Sequence, residues 1–241
     1  MPIGVNNKKI WCMWWQGIEN APDLIKICIN SIEKYSEDYE LVIITKDNFE
    51  NYAEFPPEII KKLEVGEITV THFSDIMRAR LLSLYGGIWV DATMFICDHI
   101  FKEFDDIAFN TSSSNGSWLG FFMGGKPNKL FSFLYDFLIL YNLEYDVLIN
   151  YYLIDLVIEI AYNSFDECRE FIDNSTIFNP QIFYFLRNIS KKYDENEFKS
   201  LCKNYKFFKL SYKNSMNLNC YDNNGNLTYY GYLLKCGIDL R

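Results

Sequence analysis

The chain has 241 residues, 49% of them apolar, and a formal net charge of −9. That is enough to bury the core of one domain, and the acidic balance leaves no basic field for a nucleic-acid backbone, so nucleic acid is excluded as a partner and any phosphorylated ligand must be held locally. Seven cysteines at 12, 28, 97, 168, 202, 220 and 236 form no C-x-x-C pair, which points to reduced thiols in the cytoplasm. No apolar run reaches the roughly 18 residues of a membrane span, so peripheral contact with the inner face of a membrane is the most that is expected.

Lys9 to Trp15 is a mostly apolar run closed by Gln16-Gly17, and reads as a strand buried on both faces. Pro22 suits a first helical turn, and Leu24, Ile27, Cys28, Ser31 and Ile32 recur at helical spacing, giving a helix to about Tyr35. Tyr39 to Thr45 is a second buried strand, so this part reads β-α-β with a parallel pair. Pro56-Pro57 opens a short helix. Ser74 is placed to cap a helix over Asp75 to Tyr85, which Gly86-Gly87 ends. Ile88 to Val90 then forms a short strand that delivers Asp91 to its carboxyl end, where open α/β sheets bind ligands.

Beyond it, Trp118 to Met123 reads as a strand, Leu130 to Tyr141 and Asp146 to Tyr162 as helices, and Phe207 to Ser211 as a late strand. Thr111 to Ser117 and Asp222 to Asn226 are linker-like, and the stretch from Ser112 to Ser117 is a candidate for reading an acceptor. The alternation of elements implies an α/β class in a single domain over 1–241 with a C-terminal helical and strand annex. The two histidines, His72 and His99, lie too far apart for a local zinc motif and read as structural, His72 with a place just before the Asp75 helix.

The stretch from Phe73 to Thr93 carries the chemistry. Asp75 and Arg78, three apart on one helix, share a face near its N-terminus, and the following strand can bring Asp91 back toward them. A strand-end carboxylate suits Mn²⁺ or Mg²⁺, which prefer oxygen ligands, and a guanidinium offers paired donors to phosphate or sugar oxygens.

The pattern S-D-x-x-R…Y-G-G-I-W-x-D-A-T resembles the capsular polysaccharide synthesis glycosyltransferases, relatives of the larger GT-A transferases that include the glucosylating toxins. The likeness extends to Trp14-Trp15-Gln16-Gly17 with Asn20-Ala21-Pro22, to Ser117-Trp118 with Phe121-Phe122-Met123, and to Lys209-Leu210-Ser211. The resemblance implies a GT-A-like mixed sheet flanked by helices, with a nucleotide-binding half over about 8–97 and an acceptor half over about 98–241. It also implies a hexosyltransferase using a nucleotide-sugar donor, by first choice a UDP-sugar, with retention of anomeric configuration and a glycan or lipid-linked oligosaccharide as acceptor. A protein acceptor, as in the toxins, and a catalytically silent nucleotide-sugar-binding module are the alternatives.

Carried over by position, Asp75 matches a residue that binds ribose or the donor sugar and Arg78 one beside the sugar or diphosphate. Asp91 matches the first acid of the DXD motif; Thr93 stands where the second acid would be, so the implied metal rests on Asp91 and Thr93. Trp15 matches a base-stacking aromatic, and Gln16, Gly17 and Gly87 lie where backbone approaches the donor. Lys209 and Ser211 match the segment that returns over the donor, with Lys209 placed to neutralise the leaving diphosphate. Trp118, Tyr152 and Asp155, with Tyr151 beside them, fall on the sugar or acceptor side.

Overall fold

The computed structural model describes residues 8–104, 109–112, 118–213 and 217–238. In chain order the elements are β1 (Lys9–Met13), α1 (Asp23–Tyr35), β2 (Glu40–Ile44), α2 (Pro57–Val65), α3 (Val70–Tyr85), β3 (Gly87–Val90), β4 (Met94–Ile96), β5 (Phe109–Ser112) and β6 (Trp118–Gly125). They continue with α4 (Lys129–Glu144), α5 (Leu153–Ser164), α6 (Asp166–Ser175), β7 (Thr176–Phe178), α7 (Tyr184–Asn188), α8 (Glu195–Tyr205), β8 (Phe207–Lys209) and α9 (Tyr229–Ile238).

Six strands form one mixed sheet in the order β2-β1-β3-β6-β5-β7, and β4 pairs with β8 in a second, two-stranded sheet. β1 runs parallel to both β2 and β3, whereas β6 is antiparallel to β3, with Val90 opposite Phe122. Side chains alternate across a strand, so Ile10 and Cys12 of β1 pack with Ile25, Ile29 and Ile32 of α1 on one face. Trp11 and Met13 pack on the other face with residues of α3 and α4. Both faces are covered, and that is why β1 is apolar at every position after Lys9. A third cluster, built on Leu24, Ile27 and Cys28 of α1 with Phe185, Phe208, Tyr229 and Leu233, holds the C-terminal annex against the opposite flank of α1.

Four local expectations are corrected. The helix expected from Asp75 begins at Val70, capped by Thr69, whose hydroxyl accepts from the His72 amide at 3.3 Å. Ser74 donates instead to the Thr71 carbonyl within the helix, a back-bond that a mid-helix serine makes readily. Asp75 and Arg78 therefore sit inside the helix and not at an exposed start. The helix expected from Asp146 starts only at Leu153, because the Asn150 side chain accepts from the Tyr152 amide and the Tyr141 hydroxyl bridges Val147 and Ile149. Local side-chain bonds of this kind outcompete the helical ladder. The linker-like Asp222–Asn226 stretch is a tight turn, in which Asp222 accepts from the amides of Asn224 and Asn226 and Gly225 takes φ 77°. The late strand ends at Lys209, and of the Ser112–Ser117 stretch residues 113–117 lie outside the described residues.

The α3 to β3 reversal requires glycine. Gly86 has φ 66°, and a Cβ there would lie 2.6 Å from the Gly125 carbonyl oxygen. The Gly86 carbonyl also accepts from Trp11 Nε1 at 2.9 Å, which ties the end of the helix to β1. This sharp turn sends β3 back along α3 and sets Asp91 facing Arg78.

Candidate functional site

Asp91 leaves the carboxyl end of β3 with its amide held by the Phe121 carbonyl at 2.9 Å, while its own carbonyl accepts from Met94 at 2.9 Å. Thr93 accepts from the Leu210 amide at 2.9 Å, and Met94 pairs with Lys209 in the β4–β8 ladder. That stitching brings a residue 118 positions later in the chain onto Asp91: Lys209 Nζ donates to its Oδ2 at 2.6 Å. The other carboxylate oxygen accepts from Arg78 Nη2 at 3.1 Å and Trp89 Nε1 at 2.8 Å.

Arg78 is the centre of the cluster. Its Nη2 lies 3.1 Å from Asp75 Oδ1 as well, and its guanidinium stands 5.0 Å from the centroid of the Trp89 ring. Its side chain is only 4% exposed, against 14% for Asp75, 17% for Lys209 and 26% for Asp91, so the arginine forms the floor and Asp91 the accessible face. Gly120 on β6 fits around it: a Cβ there would come 2.6 Å from Arg78 Nη1. The Gly120 amide donates to Asp155 Oδ1 at 3.3 Å, which brings α5 to the same place.

The three acids differ in charge state. Burial pushes the Asp75 carboxyl up to about 7 in spite of the pull of Arg78, and the Asp91 and Asp155 charges add to the rise. Burial likewise pushes Asp155 up to about 6, opposed by the Gly120 amide and Arg78. Burial acts in the same direction on Asp91, but there the Lys209 ammonium and the Arg78 guanidinium, with hydrogen bonds from Lys209 and Trp89, outweigh it and hold the carboxyl below its ordinary range. At neutral pH the site thus presents one fixed carboxylate between two cations, with two further acids near their midpoints.

A cavity of about 290 Å³ opens on this face, lined by Trp14, Trp15, Gln16, Ser74, Trp89, Asp91, Thr93 and Tyr212 among others. Trp15 also packs against Phe49 and Phe73, at 5.2 and 5.4 Å between ring centroids, and Trp14 meets Tyr212 edge-on at 5.3 Å. Among the described residues the buried Trp14 indole N–H has no hydrogen-bond partner. Gly17 takes φ 79° in the turn that closes on the Trp14 carbonyl.

Several residues expected at the site are elsewhere. Gly87 is buried in β3 opposite Gly125, a strand length before Asp91. Ser211 lies outside the cavity wall, its hydroxyl accepting from the Lys213 amide, and its neighbour Tyr212 takes the place at the cavity. Trp118 packs on Tyr162 at 4.7 Å, and Tyr152 is 62% exposed. Tyr151 stacks edge-on with His72, whose Nδ1 is 2.7 Å from the Thr69 hydroxyl. Conversely, Trp89 and Gly120 escaped the sequence reading. For Trp89 a signal existed, since it is two residues before Asp91 on one strand and so faces the same side.

A buried arginine thus bridges two acids at the carboxyl end of a parallel strand of a mixed α/β fold, beside an aromatic-walled cavity. Residues 4–233 match the family described as capsular polysaccharide synthesis protein, and the chain belongs to that family. It is 30% identical over 114 residues to the O-glycosyltransferase braB of Annulohypoxylon truncatum, a match covering 44% of this chain and 26% of that relative, so the chain spans about a quarter of its length. Among solved structures, PaToxG glycosyltransferase superposes with a TM-score of 0.43 at 16% identity over 57% of this chain and 62% of that one. A glycosyltransferase involved in the glycosylation of the major capsid of PBCV-1 gives 0.39 at 8% identity over 96% and 98%.

Proposed function

We propose that the cavity beside Asp91 takes a nucleotide-sugar donor, by first choice a UDP-sugar, and that the chain transfers its hexosyl group with retention to a hydroxyl of a glycan or lipid-linked oligosaccharide. The observation that carries this reading is the pairing of Arg78 and Lys209 with Asp91, an acid that itself lines an aromatic-walled cavity. Leaving-group charge on a diphosphate is what fixed cations stabilise best, because they are already oriented when the charge develops. Lys209, bound to the Asp91 oxygen that Arg78 leaves free, would meet that charge once Asp91 engages the donor, while Arg78 holds Asp91 in place. Trp15 or Trp14 offers a flat ring to the base, a contact worth about 1–3 kcal/mol in other nucleotide sites. The Trp14 indole N–H, which has no partner among the described residues, is a donor that a ligand oxygen could use. Residues in 8–97 supply most of this donor side, and Asp155, held by the Gly120 amide, is the acid offered to the acceptor side.

Among the described residues no three acid, histidine or cysteine side chains gather into a metal-binding group. The chain's own ligand set fits a divalent cation only in company with the donor: Asp91 and the Thr93 hydroxyl would hold Mn²⁺ or Mg²⁺, and the diphosphate would complete its shell. Such an ion would add to the neutralisation of the diphosphate. Because Lys209 already pairs with Asp91, the affinity for metal alone is expected to be weak.

Among the described residues no helix is long and apolar enough to cross a membrane. Val147 and Ile149, 78% and 79% exposed, support peripheral contact at the inner face of a membrane. Six described cysteines are free thiols, in keeping with the cytoplasm.

The deciding experiment is a panel of nucleotide sugars scored for released nucleoside diphosphate, with Mn²⁺ and with chelator. Turnover of one donor is expected, and binding without any release under either condition would favour the silent module to which Thr93, in place of a second acid, otherwise points.

A further inference from the structure

We propose that the cavity between α1, β4, α8 and α9 binds a phosphorylated amphiphile, a single apolar chain ending in a phosphate monoester. This cavity, about 550 Å³, is the larger of the two described and shares no lining residue with the one beside Asp91. Its size falls within the range of small-molecule sites. The interior is apolar, walled by Ile27, Phe95, Phe198 and Leu233, and suits a hydrocarbon chain, which gains on leaving water in proportion to the area it buries.

The charges identify the head group. Lys34 of α1 and Lys199 and Lys203 of α8 line the cavity against one acid, Asp98. In a chain of net charge −9 this is a local reversal of sign. Lys199 and Lys203 are four apart and so share one helix face. Lys199 is shared with Glu195 at 2.5 Å, whereas Lys34 and Lys203 have no acidic partner among the described residues. Lys34 and Lys203, the two without an acidic partner, offer several N–H donors to the three oxygens of a phosphate monoester, more than a single carboxylate would use. The wall also reaches the first site: Phe95 and Ile96 belong to β4, whose ladder with β8 places Lys209.

The test uses dodecyl phosphate below its micelle threshold, titrated calorimetrically into the full chain, with dodecanol and inorganic phosphate as partial ligands. One dodecyl phosphate should bind per chain, with each partial ligand at least about tenfold weaker, as expected from losing a charge-assisted contact or the buried chain. The double variant Lys199→Glu, Lys203→Glu should lose at least about tenfold in affinity by the same reasoning, at an unchanged melting temperature. Equal binding of dodecanol, more than one amphiphile per chain, undiminished binding by the variant, or no binding by the wild type would each overturn the proposal. Should the variant melt early, the three-ligand comparison on the wild type decides alone. Turnover is not read, so failure here leaves the transferase reading untouched.

Discussion

Replacing Asp75 by Asn isolates the electrostatic cost of the buried cluster. In the folded chain burial pushes this carboxyl from 3.8 to about 7, whereas the unfolded chain titrates near the ordinary value. Between roughly pH 4 and 7 the folded state therefore binds more protons than the unfolded one, and stability falls as pH rises through that window. A gap of about three pH units corresponds to a ceiling of about 4 kcal/mol. Asn carries no charge at any pH, so the variant lacks this slope, although its amide oxygen accepts from Arg78 less strongly by about 1 kcal/mol. Urea unfolding at about pH 4.5 and about pH 8.5 should show the variant gaining about 2–3 kcal/mol on the wild type between the two. Asp91 and Asp155 titrate in both chains and cancel in that difference to first order. A difference that stays constant with pH, or that moves against the variant at the higher pH, refutes the account of Asp75 as a carboxyl raised by burial.

Asp91→Ala should abolish donor turnover while the chain still folds, with a stability loss of about 3–5 kcal/mol as Arg78 and Lys209 lose their shared partner; full activity in this variant would break the assignment. Gly120→Ala puts a methyl against Arg78 Nη1, so kcat should fall at least about tenfold for a stability cost of only about 1–3 kcal/mol; steady-state kinetics beside a thermal melt separates the two. Lys209→Met removes the ammonium that helps hold the Asp91 carboxyl low, so the acid limb of the kcat/KM profile should move to higher pH. An unmoved limb would mean that Asp91 does not control it.

Much of this architecture is legible in the amino-acid sequence. Unbroken apolar runs marked β1 and β2 because both faces of those strands are covered, and Gly86-Gly87 marked the reversal because only glycine fits there. The convergence of Asp75, Arg78 and Asp91 was readable from helix spacing and strand direction. What stayed hidden depends on contacts far apart in the chain. The start of α3 was missed because Ser74 and Thr69 are both good caps, and only the packing of His72 and Phe73 selects the earlier one. Asp75 read as an acid at a helix start, and nothing local marks its burial, since β6 and α5, which bring Gly120 and Asp155 beside Arg78, arrive some forty and eighty residues later. Gly120 had no local signal, because what requires it is a guanidinium from another element.

The ion pair between Lys209 and Asp91 makes the proposed donor side a clasp that joins the end of β3 to β8. A fragment stopping before Phe207 would retain β1, β2 and β3, yet leave Asp91 held on one oxygen only, by Arg78 and Trp89, and Phe95 without its ladder partner. Such a piece is expected to keep its parallel strands and lose its ligand. Insertions or fusions that strain the path from α8 into β8 should therefore silence the protein well before they unfold it.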